Sequence, residues 1–123
     1  MTLNNKEYKV SMYSSPKWVF YKDWVAHKHP HRVKITNGQD TAYFTYKDNK
    51  KSVDEESIID AVNCIISDAD NARFSFNEFC QCYDFEGNKD DKRVYNDCIS
   101  LDKRLERLGI LFAERNDFFD RYY

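Results

Sequence analysis

The spacing of the apolar residues changes near residue 52, and this change does most to limit what the chain can fold into. Before it, in HRVKITNGQDTAYFTY, apolar side chains alternate with polar ones, the pattern of a strand with one buried face. After it, apolar residues recur every three or four positions, the pattern of a helix with one buried face. The order predicts strands followed by helices, as in α+β domains.

The clearest local signal in the first part is a β-hairpin over residues 31–46. Its alternation is interrupted by the dipeptide Asn37-Gly38, which favours the positive φ angles of a tight turn. Residues 7–13 also alternate, so we expect three antiparallel strands, the minimum for a stable sheet. Residues 17–30 show no clean period, and this pattern is compatible with either a short helix or an irregular aromatic segment.

The second part predicts three helices. Ser52 with Glu55, and Ser75 with Glu78, have the spacing of a capping box, in which the two residues satisfy each other's free N–H groups. The first helix carries an apolar stripe over 58–69 and ends at residues 70–71.

The third helix begins near Lys89, carries a stripe over 94–108, and ends or bends at Gly109. We expect the first stripe to cross the sheet and the second to lie beside it. All 123 residues are expected to form a single α+β domain, with a three-stranded antiparallel sheet packed against three helices.

No apolar leader or membrane-spanning run is visible, so we expect a soluble protein that is not exported. Without signs of secretion, the four cysteines are expected to be free thiols that serve as small buried residues. They are Cys64, Cys80, Cys82 and Cys98.

The charges are unevenly distributed between the two parts. Residues 1–51 carry ten Lys and Arg against four acids, whereas residues 52–123 carry nine against seventeen. Such a split is typical of a surface that meets a charged partner, although opposite charges in one domain also attract each other.

The run HKHPHR places His27, His29 and His31 at alternate positions, where an extended chain would point three imidazoles the same way. Pro30 interrupts the run, and the cysteines lack the spacing of a zinc-binding pair. We therefore predict no metal.

The same region carries basic and aromatic residues that together grip phosphates and stack on bases. The candidate nucleic-acid contacts are Trp18, Lys22, Lys28, Arg32 and Lys34. The sequence pI of about 5.9 is low for a nucleic-acid-binding domain, which weighs against this interpretation.

DFEGNKDD, residues 84–91, places oxygen-bearing side chains at alternate positions. Gly87 stands at the wrong place for a calcium loop, and Tyr95 stands where the closing Glu belongs, so a polar connection between helices is predicted instead. The chain has neither a phosphate-binding glycine loop nor a G-x-S-x-G motif. We expect no cofactor and no catalysis.

Residues 64–108 resemble the C-terminal half of a family of small bacteriophage and mobile-element proteins. In that family a helix ending in L-x-S-D-A leads to S-F-E-E-F-C and then to Y-x-x-C. The matching positions are Ile66, Ser67, Asp68, Ala69, Ser75, Phe76, Glu78, Phe79, Cys80, Tyr95 and Cys98. Residues 23–46 resemble the hairpin of the same family. The chain departs from it at residues 83–87, YDFEG, where relatives read Y-G-Y-D-x-D-S.

This resemblance implies an accessory protein that acts in the cytoplasm of an infected or plasmid-bearing bacterium, of the type that blocks host defence. We therefore predict a non-enzymatic, anti-CRISPR-like inhibitor that binds a defence nuclease and occludes its nucleic-acid channel. The predicted contacts are acidic and aromatic: Asp84, Glu86, Asp90, Asp91, Asp97, Phe118, Phe119 and Tyr122. The alternative is an accessory protein that binds nucleic acid through the basic aromatic patch. No membrane partner is expected.

Overall fold

The computed structural model describes residues 2–3, 6–14, 20–21, 24–25, 31–46, 54–111 and 115. Within these residues strands come first and three helices follow, which confirms the predicted α+β class. The strands are β1 Thr2–Leu3, β2 Lys6–Glu7, β3 Lys9–Ser14, β4 Phe20–Tyr21, β5 Trp24–Val25, β6 His31–Thr36 and β7 Thr41–Tyr46. The helices are α1 Glu55–Asp70, α2 Phe76–Tyr83 and α3 Lys89–Arg107, with a 3-10 turn at Asn71–Arg73.

The main sheet has the strand order β3-β6-β7, and both pairings are antiparallel as predicted. Two short antiparallel ladders accompany it, β1 with β2 and β4 with β5. The second ladder lies in the aromatic segment for which a helix was one of two possibilities, and its described residues are extended instead.

The predicted β-hairpin is confirmed, but its loop differs from the expected tight turn. The loop spans residues 37–40, and only Gly38 has a positive φ, 94°. Asn37 contributes its side chain instead: Oδ1 accepts hydrogen bonds from the backbone N–H groups of Gln39 (2.9 Å) and Asp40 (2.7 Å). This Asx-turn closes the loop without a left-handed Asn.

The prediction that Ser52 caps α1 is wrong. The N-cap is Asp54, whose carboxylate accepts a hydrogen bond from the backbone N–H of Ser57 at 2.8 Å. A carboxylate here both satisfies a free N–H and lies at the positive end of the helix dipole. Ser52 itself lies outside the described residues. The predicted end of α1 is confirmed by its C-cap, Asn71.

The capping box of α2 is confirmed. Glu78 N–H donates to the Ser75 hydroxyl at 3.2 Å, and Ser75 N–H donates to the Glu78 carboxylate at 3.1 Å. These bonds lower the pKa of Glu78 below its usual value. The helix ends at Asp84 in the left-handed conformation, φ 54°, and Phe85 N–H donates to Cys80 O at 2.8 Å.

The predicted bounds of α3 are also confirmed, from Lys89 to a left-handed Gly109 with φ 79°. Gly109 N–H donates to Glu106 O and Ile110 N–H donates to Leu105 O, each at 2.9 Å. This pair of bonds is a Schellman motif, which ends a helix by satisfying its last carbonyls.

The main core lies between one face of the sheet, α1 and the second half of α3. Its buried residues are Tyr8, Met12, Val33, Ile35, Ala42, Phe44, Tyr46, Ala61, Val62, Ile65, Ile66, Ala69, Leu105, Leu108 and Ile110. A smaller cluster around Phe79, Tyr95 and Cys98 joins α2 to the first half of α3. The expectation that the 94–108 stripe lies beside the sheet therefore holds only for its second half.

One buried carbonyl ties the sheet to α3. The Leu108 carbonyl, at the end of α3, accepts hydrogen bonds from the Tyr8 hydroxyl at 3.0 Å and from the Asn37 side-chain amide at 3.3 Å. The last carbonyls of a helix have no partner within the helix. These two bonds hold the end of α3 against the start of β3 and the loop between β6 and β7.

Arg115 joins the ends of two helices to the segment that follows them. Its side chain is buried, and its guanidinium contacts Asp70 at 2.9 Å and Asp102 at 2.7 Å. Its Nε also donates to Ile110 O at 3.2 Å.

The cysteines form no disulfide within the described residues. Cys98 is buried and Cys80 is half-buried, but Cys64 and Cys82 are exposed, so the expectation of burial is wrong for these two. Among the described residues, no helix combines the length and the apolar character that crossing a membrane requires.

Candidate nucleic-acid interface

The outer face of the main sheet is defined by the residues that alternate with the buried ones. Because directly paired residues share a face, the register arranges them in three rows across β3, β6 and β7. The rows are Lys9, Thr36 and Thr41; then Ser11, Lys34 and Tyr43; then Tyr13, Arg32 and Thr45. None of these side chains is acidic. We call this surface the sheet face.

The cations of the sheet face lie on its first two strands. Lys9 is exposed on β3, and Lys34 and Arg32 are half-exposed neighbours along the outer side of β6. Arg32 donates to the Thr45 hydroxyl at 3.0 Å, and its guanidinium lies 5.7 Å from the centre of the Tyr43 ring. These contacts hold Arg32 flat against the sheet.

Two tyrosine rings flank the cations of β6, Tyr13 on β3 and Tyr43 on β7. Tyr13 is 46% exposed and Tyr43 is 40% exposed, although both are large aromatic residues on an ordered strand. From the spacing of strands and residues, their Cα atoms are about 12 Å apart on a diagonal of the sheet face. The face thus presents separated aromatic rings, each with a cation next to it.

The positive surface continues around the edge of β7 onto α3. The guanidinium of Arg104 donates to Tyr43 O at 2.6 Å, and that of Arg107 donates to Thr41 O at 2.7 Å. These are alternate carbonyls of an edge strand, so the two arginines cover groups that another strand would otherwise pair with.

Beside this edge, α3 carries a shallow open depression of about 540 Å3. The residues around it form one stripe of the helix: Asn96, Ile99, Ser100, Lys103, Arg104 and Arg107. Burial lowers the pKa of Arg104, and the positive charge of Arg32 lowers it further. The negative charge of Asp97 raises this pKa, whereas the positive charge of Arg107 lowers it. The cations of the sheet and of α3 are therefore close enough to repel one another, a repulsion that a bound anion would relieve.

The structure separates the predicted acidic contacts into two groups. Asp84, Glu86, Asp90 and Asp97 are exposed on the turn between α2 and α3 or on α3. Asp91 is fully buried, and its carboxylate accepts hydrogen bonds from the backbone N–H groups of Gly87 (2.8 Å) and Asn88 (3.3 Å).

The prediction that Asp91 meets a partner is thus wrong. Asp91 occupies the third position of α3 and completes a capping box with Asn88, whose side chain accepts from Asp91 N–H at 3.0 Å. The polar connection predicted for residues 84–91 is confirmed over residues 84–88, and residues 89–91 form the first turn of α3.

Of the predicted basic patch, the structure brings Arg32 and Lys34 together on the sheet face. Several other predicted residues lie outside the described residues: Trp18, Lys22, His27, Lys28, His29, Phe118, Phe119 and Tyr122. For His31 only the backbone is described. Within the described part of the chain, no group of three or more His, Cys, Asp or Glu side chains is placed to hold a metal ion.

Sequence reasoning missed Lys9, Tyr13 and Tyr43 on the sheet face, and Arg104 and Arg107 at its edge. The alternation of the strands was enough to put the first three on a solvent face. Nothing in the sequence linked that face to the end of a helix sixty residues later, a contact made across the β7 edge.

The fold and this surface define a small α+β protein with a basic, aromatic sheet face. No protein-family model, no curated protein and no solved structure matches the chain. The resemblance to phage and mobile-element proteins stays a prediction.

Proposed function

We propose that this protein binds nucleic acid through its sheet face and catalyses no reaction. The observation that carries the proposal is the composition of that face: Lys9, Arg32 and Lys34 with two exposed tyrosines and no acid. Nucleic acid presents a regular line of phosphates, and cations that replace its counterions supply most of the affinity. Hydroxyl groups of Ser and Thr on the same face are further phosphate donors.

The overall negative charge does not oppose this proposal, because binding depends on the local field. Helix α1 carries the acids Glu55, Glu56, Asp60, Asp68 and Asp70 and no Lys or Arg. It packs on the buried side of the sheet, opposite the sheet face. The acids of α1 thus lie on the other side of the sheet from the sheet face, so they do not oppose a polyanion that approaches the sheet face.

The proposal is tested by fluorescence anisotropy of labelled oligonucleotides. We expect binding that weakens as salt rises, with a slope of log affinity against log salt of about −2 for three phosphate contacts on a single strand. Lys34→Glu should weaken binding roughly tenfold or more.

The matched control is Lys89→Glu, the same substitution at an exposed lysine at the start of α3. It changes the net charge equally but lies away from the sheet face. Equal losses of affinity in the two variants would show that only the net charge matters, which would contradict the proposal. The absence of binding to any oligonucleotide at low salt would also contradict it.

A second proposal follows from the acids between α2 and α3: the protein inhibits a bacterial defence nuclease of the CRISPR type by occupying its nucleic-acid channel. Asp84, Glu86, Asp90 and Asp97 are exposed, and none forms an ion pair or side-chain hydrogen bond with another described residue. Exposed carboxylates are suited to the basic groove of a nuclease, although the charge of Asp97 already acts on Arg104. This proposal ranks second because Lys89, Lys92 and Arg93 share the same surface.

Its test is target cleavage by reconstituted CRISPR effector complexes. We expect inhibition at about one protein per complex, as for a binder without turnover, and at least a tenfold weaker effect after Glu86→Lys with Asp90→Lys. The control is Glu106→Lys, an exposed acid about 24 Å from Asp90 along α3. Undiminished cleavage with every effector tested, or equal loss in the control, would reject the proposal.

A further inference from the structure

The sheet face and the depression on α3 form one continuous surface. Tyr43 belongs to the sheet face through its side chain and binds Arg104 through its carbonyl. Arg107 makes the equivalent contact to Thr41, one row along the same strand. From these two arginines the positive surface extends along α3 to Lys103.

We propose that the bound nucleic acid is single-stranded, with bases stacked on Tyr13 and Tyr43 and its phosphates running over the edge of β7 to Lys103, Arg104 and Arg107. This inference rests on the proposed function. It adds that the nucleic acid is single-stranded and that the cations of α3 belong to the binding site.

The exposed tyrosine rings are the first reason to expect a single strand. In a duplex each base face is covered by its neighbour in the stack, so a tyrosine on a flat sheet has no base to stack on except at an end. Single strands expose their bases, and stacking on an aromatic ring is worth about 1–3 kcal/mol per base. Two exposed tyrosines among cations therefore favour a single strand.

The distance between the two rings is the second reason to expect a single strand. Stacked neighbouring bases are about 3.4 Å apart along a strand, whereas the Cα atoms of Tyr13 and Tyr43 are about 12 Å apart. Bases that stack on both rings must be splayed apart, with intervening backbone stretched across β6. Arg32 and Lys34 lie on β6 between the two rings, where they meet that backbone.

The cations of α3 are placed to bind the phosphates of the strand. Lys103, Arg104 and Arg107 line an open depression, and Ile99 provides its apolar contact. Among the described residues no acid lines it, although the charge of Asp97 acts on Arg104. Arg104 and Arg107 are already fixed by carbonyls of β7, so ordering them on binding costs little side-chain entropy. Burial and the nearby charge of Arg32 already make the charged form of Arg104 less favourable, as its lowered pKa indicates.

The experiment compares one single-stranded sequence, as DNA and as RNA, with the same sequence in a blunt hairpin duplex. We expect the single strands to bind at least tenfold more tightly than the duplex. Tyr43→Leu, which keeps an apolar side chain on the strand, should lower the affinity for the single strand at least fivefold and so reduce the preference for the single strand over the duplex.

The α3 part of the site is tested by Lys103→Glu. With up to six cations in contact, the salt slope for a single strand should be about −4, and Lys103→Glu should bring it closer to zero by about 0.7. The matched control is again Lys89→Glu, on the same helix and about 21 Å away. Circular dichroism of each variant shows whether it is folded.

The outcomes separate this inference from the proposed function. Binding to the duplex as tight as to the single strand, with no effect of Tyr43→Leu, overturns the inference and leaves nucleic-acid binding standing. A salt slope near −2 that Lys103→Glu does not change removes α3 from the site. Failure of all oligonucleotides to bind overturns both, and would point to an acidic protein as the ligand of the sheet face.

Discussion

The carbonyl of Leu108 provides the sharpest test of how the sheet holds α3. It is buried and accepts two hydrogen bonds, from the Tyr8 hydroxyl and from the Asn37 amide. A carbonyl oxygen has two lone pairs, so losing one donor still leaves it satisfied. Losing both leaves a buried acceptor without a partner.

The test is a double-mutant cycle of Tyr8→Phe and Asn37→Ser. Phe keeps the ring and loses only the hydroxyl, while Ser keeps an acceptor for the loop N–H groups but is too short to reach Leu108. Each single change should lower the free energy of unfolding by about 1 kcal/mol. The double variant should lose about 1–2 kcal/mol beyond the sum, because only it leaves the carbonyl unsatisfied.

Urea unfolding followed by far-ultraviolet circular dichroism measures these values, with the dependence on urea concentration expected to stay constant. In thermal unfolding the double variant, which loses about 3–4 kcal/mol in all, should melt about 9–20 °C lower, at roughly 3–5 °C per kcal/mol for a chain of this size. Tyr13→Phe, at an exposed tyrosine, is the control and should change stability by less than about 0.5 kcal/mol. Additivity of the two single changes within about 0.5 kcal/mol would refute the reasoning.

Three further changes test other parts of the fold by the same urea assay. Arg115→Met should lower the free energy of unfolding by about 2–3 kcal/mol, because it leaves two partly buried carboxylates without their cation; no loss would mean that these ion pairs contribute nothing. Asp84→Gly should raise stability by about 0.5–1 kcal/mol, since Asp84 is left-handed and Gly adopts that conformation without strain; a loss would show that the Asp side chain has a structural role. Hydrogen bonds from Ser75 lower the pKa of Glu78, so its contribution is present above the unfolded pKa of about 4.5 and is lost as the pH falls through the lowered value. The stability difference between wild type and Glu78→Gln should therefore shrink as the pH falls below about 4, and a constant difference would contradict this assignment.

Local signals predicted much of the fold, and their failures were also local. The hairpin and the box of Ser75 with Glu78 were predicted because a few neighbouring residues determine both. The cap of α1 was misassigned because Ser52 and Asp54 are both good N-caps, two positions apart. Asp91 was taken for a surface acid because its burial depends on how the turn before α3 folds back over it.

The candidate site was only partly predictable for a different reason. Arg32 and Lys34 stood out as cations within one short segment, and the structure places both on the sheet face. The exposed acids were named from their charge alone, which does not say what they will meet. The cations at the edge of β7 come from a distant helix, and no local pattern pairs them with a strand.

The order of the amino acids by itself determined the three main strands, the three helices and the apolar side of each main strand, because side-chain periodicity acts within a few residues. It did not determine the short strands β4 and β5, whose segment has no clean period. Tertiary structure alone decided that β6 lies between β3 and β7, and that Arg104 and Arg107 near the end of α3 reach the carbonyls of β7. Those arrangements depend on long-range packing and on satisfying buried polar groups. They bring scattered lysines, arginines and tyrosines onto one surface.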